Sequence, residues 1–182
     1  MFRFFLSLAL GVFLSGSSFS QVVYSANSVT AHFFSDTPLE DIEATNKKGM
    51  SLIDLSKKQI VFSFVIKDFD FENQLMEDHF NEKYLESEKY PKAQFSGQFE
   101  RLPDLTQPGN HNVSVSGNLT IHGVTRPVQV SGTLSMKNGI ITAKAAFKVK
   151  LEDHRIKVPT VVIAKIAEVI DVDIAADYVP KN

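Results

Sequence analysis

Between Val113 and Met136 apolar and polar residues alternate almost without a fault. Val113, Val115, Gly117, Leu119 and Ile121 fall on one face; Ser114, Ser116, Asn118, Thr120 and His122 fall on the other. That period of two is the mark of a half-buried strand. After Gly123-Val124-Thr125-Arg126-Pro127 the alternation restarts, with Val128, Val130, Gly132, Leu134 and Met136 sharing a face. Pro127 cannot donate a ladder hydrogen bond, which places it at the very start of the second strand. Gly123 gives the backbone its freedom to turn. The stretch therefore reads as an antiparallel hairpin with Ile121 to Pro127 at its tip.

The same pattern recurs along the chain. Ser28 to Phe34 reads as a first strand, Asp41 to Ala44 as a short second, and Met50 to Leu55 as a third, with Asn46-Lys47-Lys48-Gly49 as a turn. From Gln59, Ile60, Phe62, Phe64 and Ile66 share a face, and then Phe69 and Phe71 appear in the opposite phase. Either a bulge at Lys67-Asp68 or the end of the strand accounts for that slip. From Glu72 to Tyr84 the period lengthens, with Leu75, Met76, Phe80 and Tyr84 spaced for one amphipathic helix. Pro91 requires the helix to have finished. Ala93, Phe95, Gly97 and Phe99 restart the alternation, and Pro103 with Pro108-Gly109-Asn110 marks a loop. Lys137-Asn138-Gly139 carries the Asn-Gly signal of a tight hairpin. Ile141 to Leu151 follows as a strand with Ala143, Ala145, Phe147 and Val149 inside. Glu152 to Pro159 is irregular, Thr160 to Ala167 fits a strand or a short helix, and Val169 to Tyr178 is the last strand.

The expected fold is all-β: an antiparallel, roughly eight-stranded barrel with one amphipathic helix. Eight strands is the size at which a closed barrel can hold one small ligand. The small inward residues Gly97, Gly117, Gly132, Ala143 and Ala145 leave room in its interior. The alternation alone does not separate an open cavity from a packed core.

Composition narrows the setting. Residues 1–20 pair Arg3 with the apolar run Phe4 to Leu14 and then the small residues around Ser18-Phe19-Ser20, the layout of a secretory signal peptide cleaved before Gln21. The apolar run is shorter than the ~20 residues of a spanning helix, which weighs against an uncleaved anchor. A periplasmic or secreted protein is expected, with residues 21–182 as one domain. The formal net charge is −2, which offers nothing to nucleic acid or to an anionic membrane surface. There is no cysteine, which excludes disulfides, thiolate metal sites and Cys nucleophiles. Fifteen Phe and no Trp make the core Phe-rich.

Three segments carry a resemblance. Leu75-Met76 with His79-Phe80, followed by Lys89-Tyr90-Pro91 and Phe95, resembles a helix and a KYP-x-x-x-F segment. Gly117 to Val128, GNLTIHGVTRPV, is similar to a G-x-L-T-I-H-G-V-T-K/R-P-V hairpin, and the strand ending Phe147-Lys148-Val149 resembles a penultimate barrel strand. Together they resemble the YceI-like, polyisoprenoid-binding family of periplasmic proteins. The resemblance implies a lipocalin-like barrel enclosing an isoprenoid chain, such as a quinone tail or similar lipid, and a binder or carrier, not an enzyme. It implies no cofactor beyond that lipid, and leaves a homodimer open. The departure is Glu152 to Pro159, where the family has a Gly-containing turn.

An isoprenoid tail needs only a long dry tunnel, because its gain is burial. The inward residues that would line it are Phe62, Phe64, Ile66, Phe95, Phe99, Leu119, Ile121, Val128, Val130 and Phe147, with Met76 and Phe80 of the helix capping one end. Each is equally a candidate for ordinary packing. His122 and Arg126 at the hairpin tip suit a quinone carbonyl or phosphate, although a His there more commonly bonds neighbouring backbone and locks the turn. Glu77-Asp78-His79 and Glu152-Asp153-His154 repeat a tripeptide, but sequence neighbours on a helix diverge, so each is a poor chelate. His32 and His111 have no evident partner. No nucleophile elbow, zinc-protease helix or phosphate-cradling Gly loop occurs. The rival readings are a barrel with a packed interior that serves as a structural or protein-interaction module, and an enzyme acting on a lipid head group.

Overall fold

The computed structural model describes residues 23–159 and 164–181. The expected secretory segment and its cleavage before Gln21 lie outside those residues, as do residues 160–163; residues 164–167 form a turn, neither strand nor helix.

Eight long strands close into an antiparallel barrel: β1 (Val23–Ser35), β2 (Ile42–Asp54), β3 (Gln59–Val65), β5 (Lys92–Phe99), β6 (His111–Ile121), β7 (Val124–Lys137), β8 (Ile140–Lys150) and β9 (Val169–Pro180). A two-residue strand, β4 (Asp70–Phe71), pairs with Ala44 and Thr45 of β2 above the point where β3 has left it. Closure comes from β1, which pairs with β9 on one side and β2 on the other. Each of the eight long strands thus has a neighbour on both sides, which is how a barrel avoids edge-to-edge association.

Between β3 and β4 the chain makes a 3-10 turn, Ile66–Asp68. The phase slip in the sequence is therefore the end of a strand, and Phe69 and Phe71 belong to the next segment. The expected second and third strands are one continuous β2. Asn46-Lys47-Lys48-Gly49 is an irregularity within it, because Asn46 turns inward and completes the ladder with its own side chain. Its Nδ2 donates to Val65 O at 2.9 Å and its Oδ1 accepts from Lys48 N at 2.8 Å, so a fully buried amide has both ends satisfied.

The central hairpin also differs from expectation. The turn is His122-Gly123 alone, both at positive φ (51° and 69°), and Val124 to Arg126 are already strand. Two residues at positive φ match the right-handed twist of the flanking strands, so no longer break is needed. Pro127 consequently lies inside β7. Asn138-Gly139 (φ 53° and 78°) makes the same kind of turn between β7 and β8, as the sequence indicates.

One end of the barrel is packed shut. Tyr24, Ile53, Ile60, Phe99, Leu134, Ile141 and Tyr178 meet there, and Leu102 and Leu105 of the β5–β6 connection plug it. Above the floor, Gly49 admits the buried Phe64, since a Cβ there would lie 2.2 Å from its ring. Gly97 and Gly117 face each other across β5 and β6 and carry the Phe95 ring, 2.5 Å and 2.8 Å from where their Cβ atoms would be. The room left by these two glycines is thus filled, not open.

Tyr178 is fully buried in this floor. Ser51 Oγ donates to Val61 O at 2.6 Å, so the Tyr178 hydroxyl donates to Ser51 Oγ at 2.7 Å. Burial pushes the Tyr178 phenol well above its ordinary range, partly offset by the Ser51 bond. Ser51→Ala strands a buried donor and is expected to cost about 1–3 kcal/mol, more than Tyr178→Phe, which leaves Ser51 its bond to Val61 O. Urea unfolding of the two variants measures the difference. Because the folded phenol resists ionisation, the stability it contributes is complete below about pH 10 and falls as pH rises above it. Tyr178→Phe should flatten that alkaline loss.

Candidate functional site: an apolar cavity under a helix

Above the packed floor the barrel is hollow. A cavity of about 530 Å³ runs from Val113, Phe99 and Leu134 at the bottom to Ile42, Phe71 and Met76 at the mouth. Its wall on β6 extends from Val113 to Ile121, about 26 Å along a strand at about 3.3 Å per residue. With strands tilted by about 40°, that is a depth of about 20 Å. Phe62, Phe95, Val128, Val130 and Phe147 point inward yet stay only half-buried, because the space they face is empty of side chains.

All twelve residues singled out from the sequence border this cavity. Phe99 belongs to the packed floor, Phe64 to the same buried core but higher on β3, Ile66 and Ile121 to a smaller cluster near the mouth with Leu85 and Ile156, and the rest to the wall and cap. The wall also includes Phe33, Val149, Val172 and Ile174, which the sequence pattern already places on inward faces, and Ile156, which lies in an irregular segment with no periodic signal.

The mouth is covered by helix α1 (Gln74–His79), which continues as a wider π turn, Phe80–Tyr84. Asn73 caps it, accepting from Leu75 N at 2.9 Å. Phe80 anchors it to the barrel. Its ring stacks on Phe33 (5.5 Å, 22°) and tilts against Phe69 (5.7 Å) and Phe71 (5.0 Å). Leu75, expected on the apolar face, is instead 61% exposed at the rim. Lys165 and Glu40, also at the rim, pair at 3.3 Å.

His122 does not lock its own turn. Its Nδ1 donates to His154 O at 3.2 Å and its Nε2 meets Glu86 Oε2 at 2.7 Å. Those partners lie 32 and 36 residues away, so the side chain ties the hairpin tip to the segment after β8 and to the loop after α1. His122 itself takes the left-handed first position of the turn, φ 51°. Tyr90 meets the His122 ring edge-on at 4.6 Å and covers Gly123, where a Cβ would lie 2.4 Å from the phenol ring. His154 is buried and its Nδ1 donates to Val124 O at 3.0 Å. His32 bonds Glu43 at 3.0 Å, and His111 bonds Gln107 O at 3.0 Å. Among the described residues no group of three His, Asp or Glu side chains converges in a way that could hold a metal.

The His122 bond holds the Glu86 carboxyl below its usual range. A depressed carboxyl contributes stability above its ordinary range and loses it as pH falls through the lowered value. The protection of the Ser87 and Tyr90 amides against exchange, relative to their free-chain rates, should therefore fall only in strongly acid solution, and Glu86→Gln should lower it at neutral pH. Phe80→Ala removes three ring contacts of about 0.5–1.5 kcal/mol each beyond its burial. It is expected to raise exchange throughout α1 while leaving the barrel amides protected.

The YceI-like domain model matches residues 18–178. A polyisoprenoid-binding domain from Saccharophagus degradans, implicated in plant cell wall breakdown, superposes with a TM-score of 0.76 at 13% identity, covering 89% of this chain and 100% of that one. BcnA from Burkholderia cenocepacia gives 0.70 at 16% identity, covering 82% and 95%. The YCEI protein of Campylobacter jejuni gives 0.58 at 16% identity, covering 100% and 99%. A comparison with curated proteins finds no significant match. These structures share the fold, and the domain match spans nearly the whole chain: the protein belongs to the YceI-like domain family.

Proposed function

We propose that the protein is a non-enzymatic carrier that encloses the hydrocarbon chain of a polyisoprenoid or a similar amphipathic lipid, such as a quinone tail, and that it works in the periplasm or outside the cell. The observation that carries this reading is the cavity itself: about 530 Å³, walled by aliphatic and Phe side chains and long in one direction. Pockets of ~300–1,000 Å³ suit small-molecule ligands, and an apolar one of this shape suits a chain better than a compact ring. The polyisoprenoid-binding relative from Saccharophagus degradans supports the choice of an isoprenoid, and the N-terminal apolar run supports an exported protein. A structural or interaction barrel with a filled interior is disfavoured, because its side chains would meet across the middle.

Burial supplies the affinity. A chain placing ~400 Å² of apolar surface inside gains about 10 kcal/mol, against an association cost of about 4–15 kcal/mol. Short tails therefore bind weakly and each added methylene contributes about 0.8 kcal/mol until the tunnel is full. Affinity should rise steeply with chain length and then plateau, as measured by isothermal titration with a prenol series. Native mass spectrometry of protein from its host should show a bound lipid; an apo mass alone, with no binding of added prenols, rejects the carrier. Phe147→Arg, on the half-buried wall, should abolish binding with the fold kept. Phe64→Arg, by contrast, should unfold the barrel, because that ring is buried and wedged against Gly49.

A further inference from the structure

The barrel wall is not continuous. The β7–β8 ladder runs from Lys137↔Ile140 to Gly132↔Ala145 and stops. Above it, β7 residues 124–131 and β8 residues 146–150 have no rungs between them, although β7 stays fully paired to β6 and β8 to β9. At the last rung the strands are pressed together, since a Cβ on Gly132 would lie 2.6 Å from Lys144 O. Beyond it they part.

The seam opens into a recess of about 450 Å³. Leu119, Val128 and Val149 line this recess and also line the main cavity, so they stand between the two spaces. The outer lip carries Arg126, Lys148 and Lys150. Where rungs are missing, side chains lace the top of the gap: Arg126 Nε donates to Asp153 O at 2.7 Å, and His154 Nδ1 to Val124 O. Lys148 pairs with Asp171, and Lys150 with Glu152 at 3.2 Å. Asp153 also borders the recess. These pairs are exposed, and such pairs are weak enough for a phosphate to displace. At the helix-covered mouth the described residues bring a single lysine, Lys165, paired with Glu40, whereas the seam gathers three cations.

We propose that this seam is a head-group site: it binds the phosphate of a phosphorylated isoprenoid on Arg126, Lys148 and Lys150, with the chain entering the barrel sideways between Leu119, Val128 and Val149. The inference rests on the carrier reading above and adds the class of head group and its place. A phosphate offers several acceptors to the guanidinium fork and to two ammonium groups, the charge-assisted bonds that discriminate most strongly.

Isothermal titration with geranylgeranyl phosphate and geranylgeraniol, whose chains are identical, tests it on the full chain. The phosphate is expected to bind at least about tenfold more tightly at low salt, as one charge-assisted bond implies, and salt should erode that preference. Lys148→Gln with Lys150→Gln, both exposed and neither a party to the lacing bonds, should bring the ratio of the two affinities towards one; adding Arg126→Gln should complete the loss. Equal affinity for the two lipids, or a preference that survives these substitutions, overturns the head-group site and leaves the carrier reading standing. Inorganic phosphate binding as tightly as the phosphorylated lipid makes the recess a free-anion site and also overturns it. If neither lipid binds, the carrier reading fails and this site fails with it.

Discussion

Closure at eight strands is the constraint on which the rest depends. It fixes a radius at which side chains from opposite walls meet only where they are large and converge. Here they converge at one end, where Tyr24, Tyr178 and Phe99 gather and the β5–β6 connection adds Leu102 and Leu105. Higher up, Ala143, Ala145 and Gly132 shrink the wall while Phe62, Phe95 and Phe147 coat it. A packed floor therefore supplies the stability that a cysteine-free domain needs, and the interior above it is released from that duty. A buried polar link in the floor, Tyr178 to Ser51 to the β3 backbone, ties β9 to β2 across the closing strand β1.

The period of two made the strands and their inward faces legible, and with them ten of the residues that border the cavity, while helical spacing supplied Met76 and Phe80; Val113 to Met136 needed nothing beyond alternation. What alternation cannot report is how strands pair across long sequence separations. Asn46 looked like a turn residue because Asn, Lys and Gly are turn formers, yet tertiary pairing with β1 overrides that local preference and uses the amide to satisfy the end of β3. His122 falls on the polar phase of the pattern, but its partners come from loops that no local rule connects to it. The seam was equally hidden: both β7 and β8 alternate cleanly through Val130 and Phe147, and nothing in either strand announces that the rungs between them have stopped.

The structure also explains why two separate sequence motifs occur together. The Tyr of Lys89-Tyr90-Pro91 covers Gly123 and borders His122, both from the Ile-His-Gly-Val segment. Gly123 admits the ring because it has no side chain, and its φ of 69° completes the turn. Each motif is a half of one joint, so a change in either is felt by the other.

Helix α1 is held mainly by aromatic rings, and the barrel beneath it by ladders of backbone bonds. Ring contacts break one at a time and re-form without registry, whereas a ladder opens only with its neighbours. The lifetime of the closed mouth and the melting temperature of the barrel are consequently governed by different parts of the chain. Evolution can lengthen or shorten the one by altering Phe33, Phe69, Phe71 or Phe80 without touching the other.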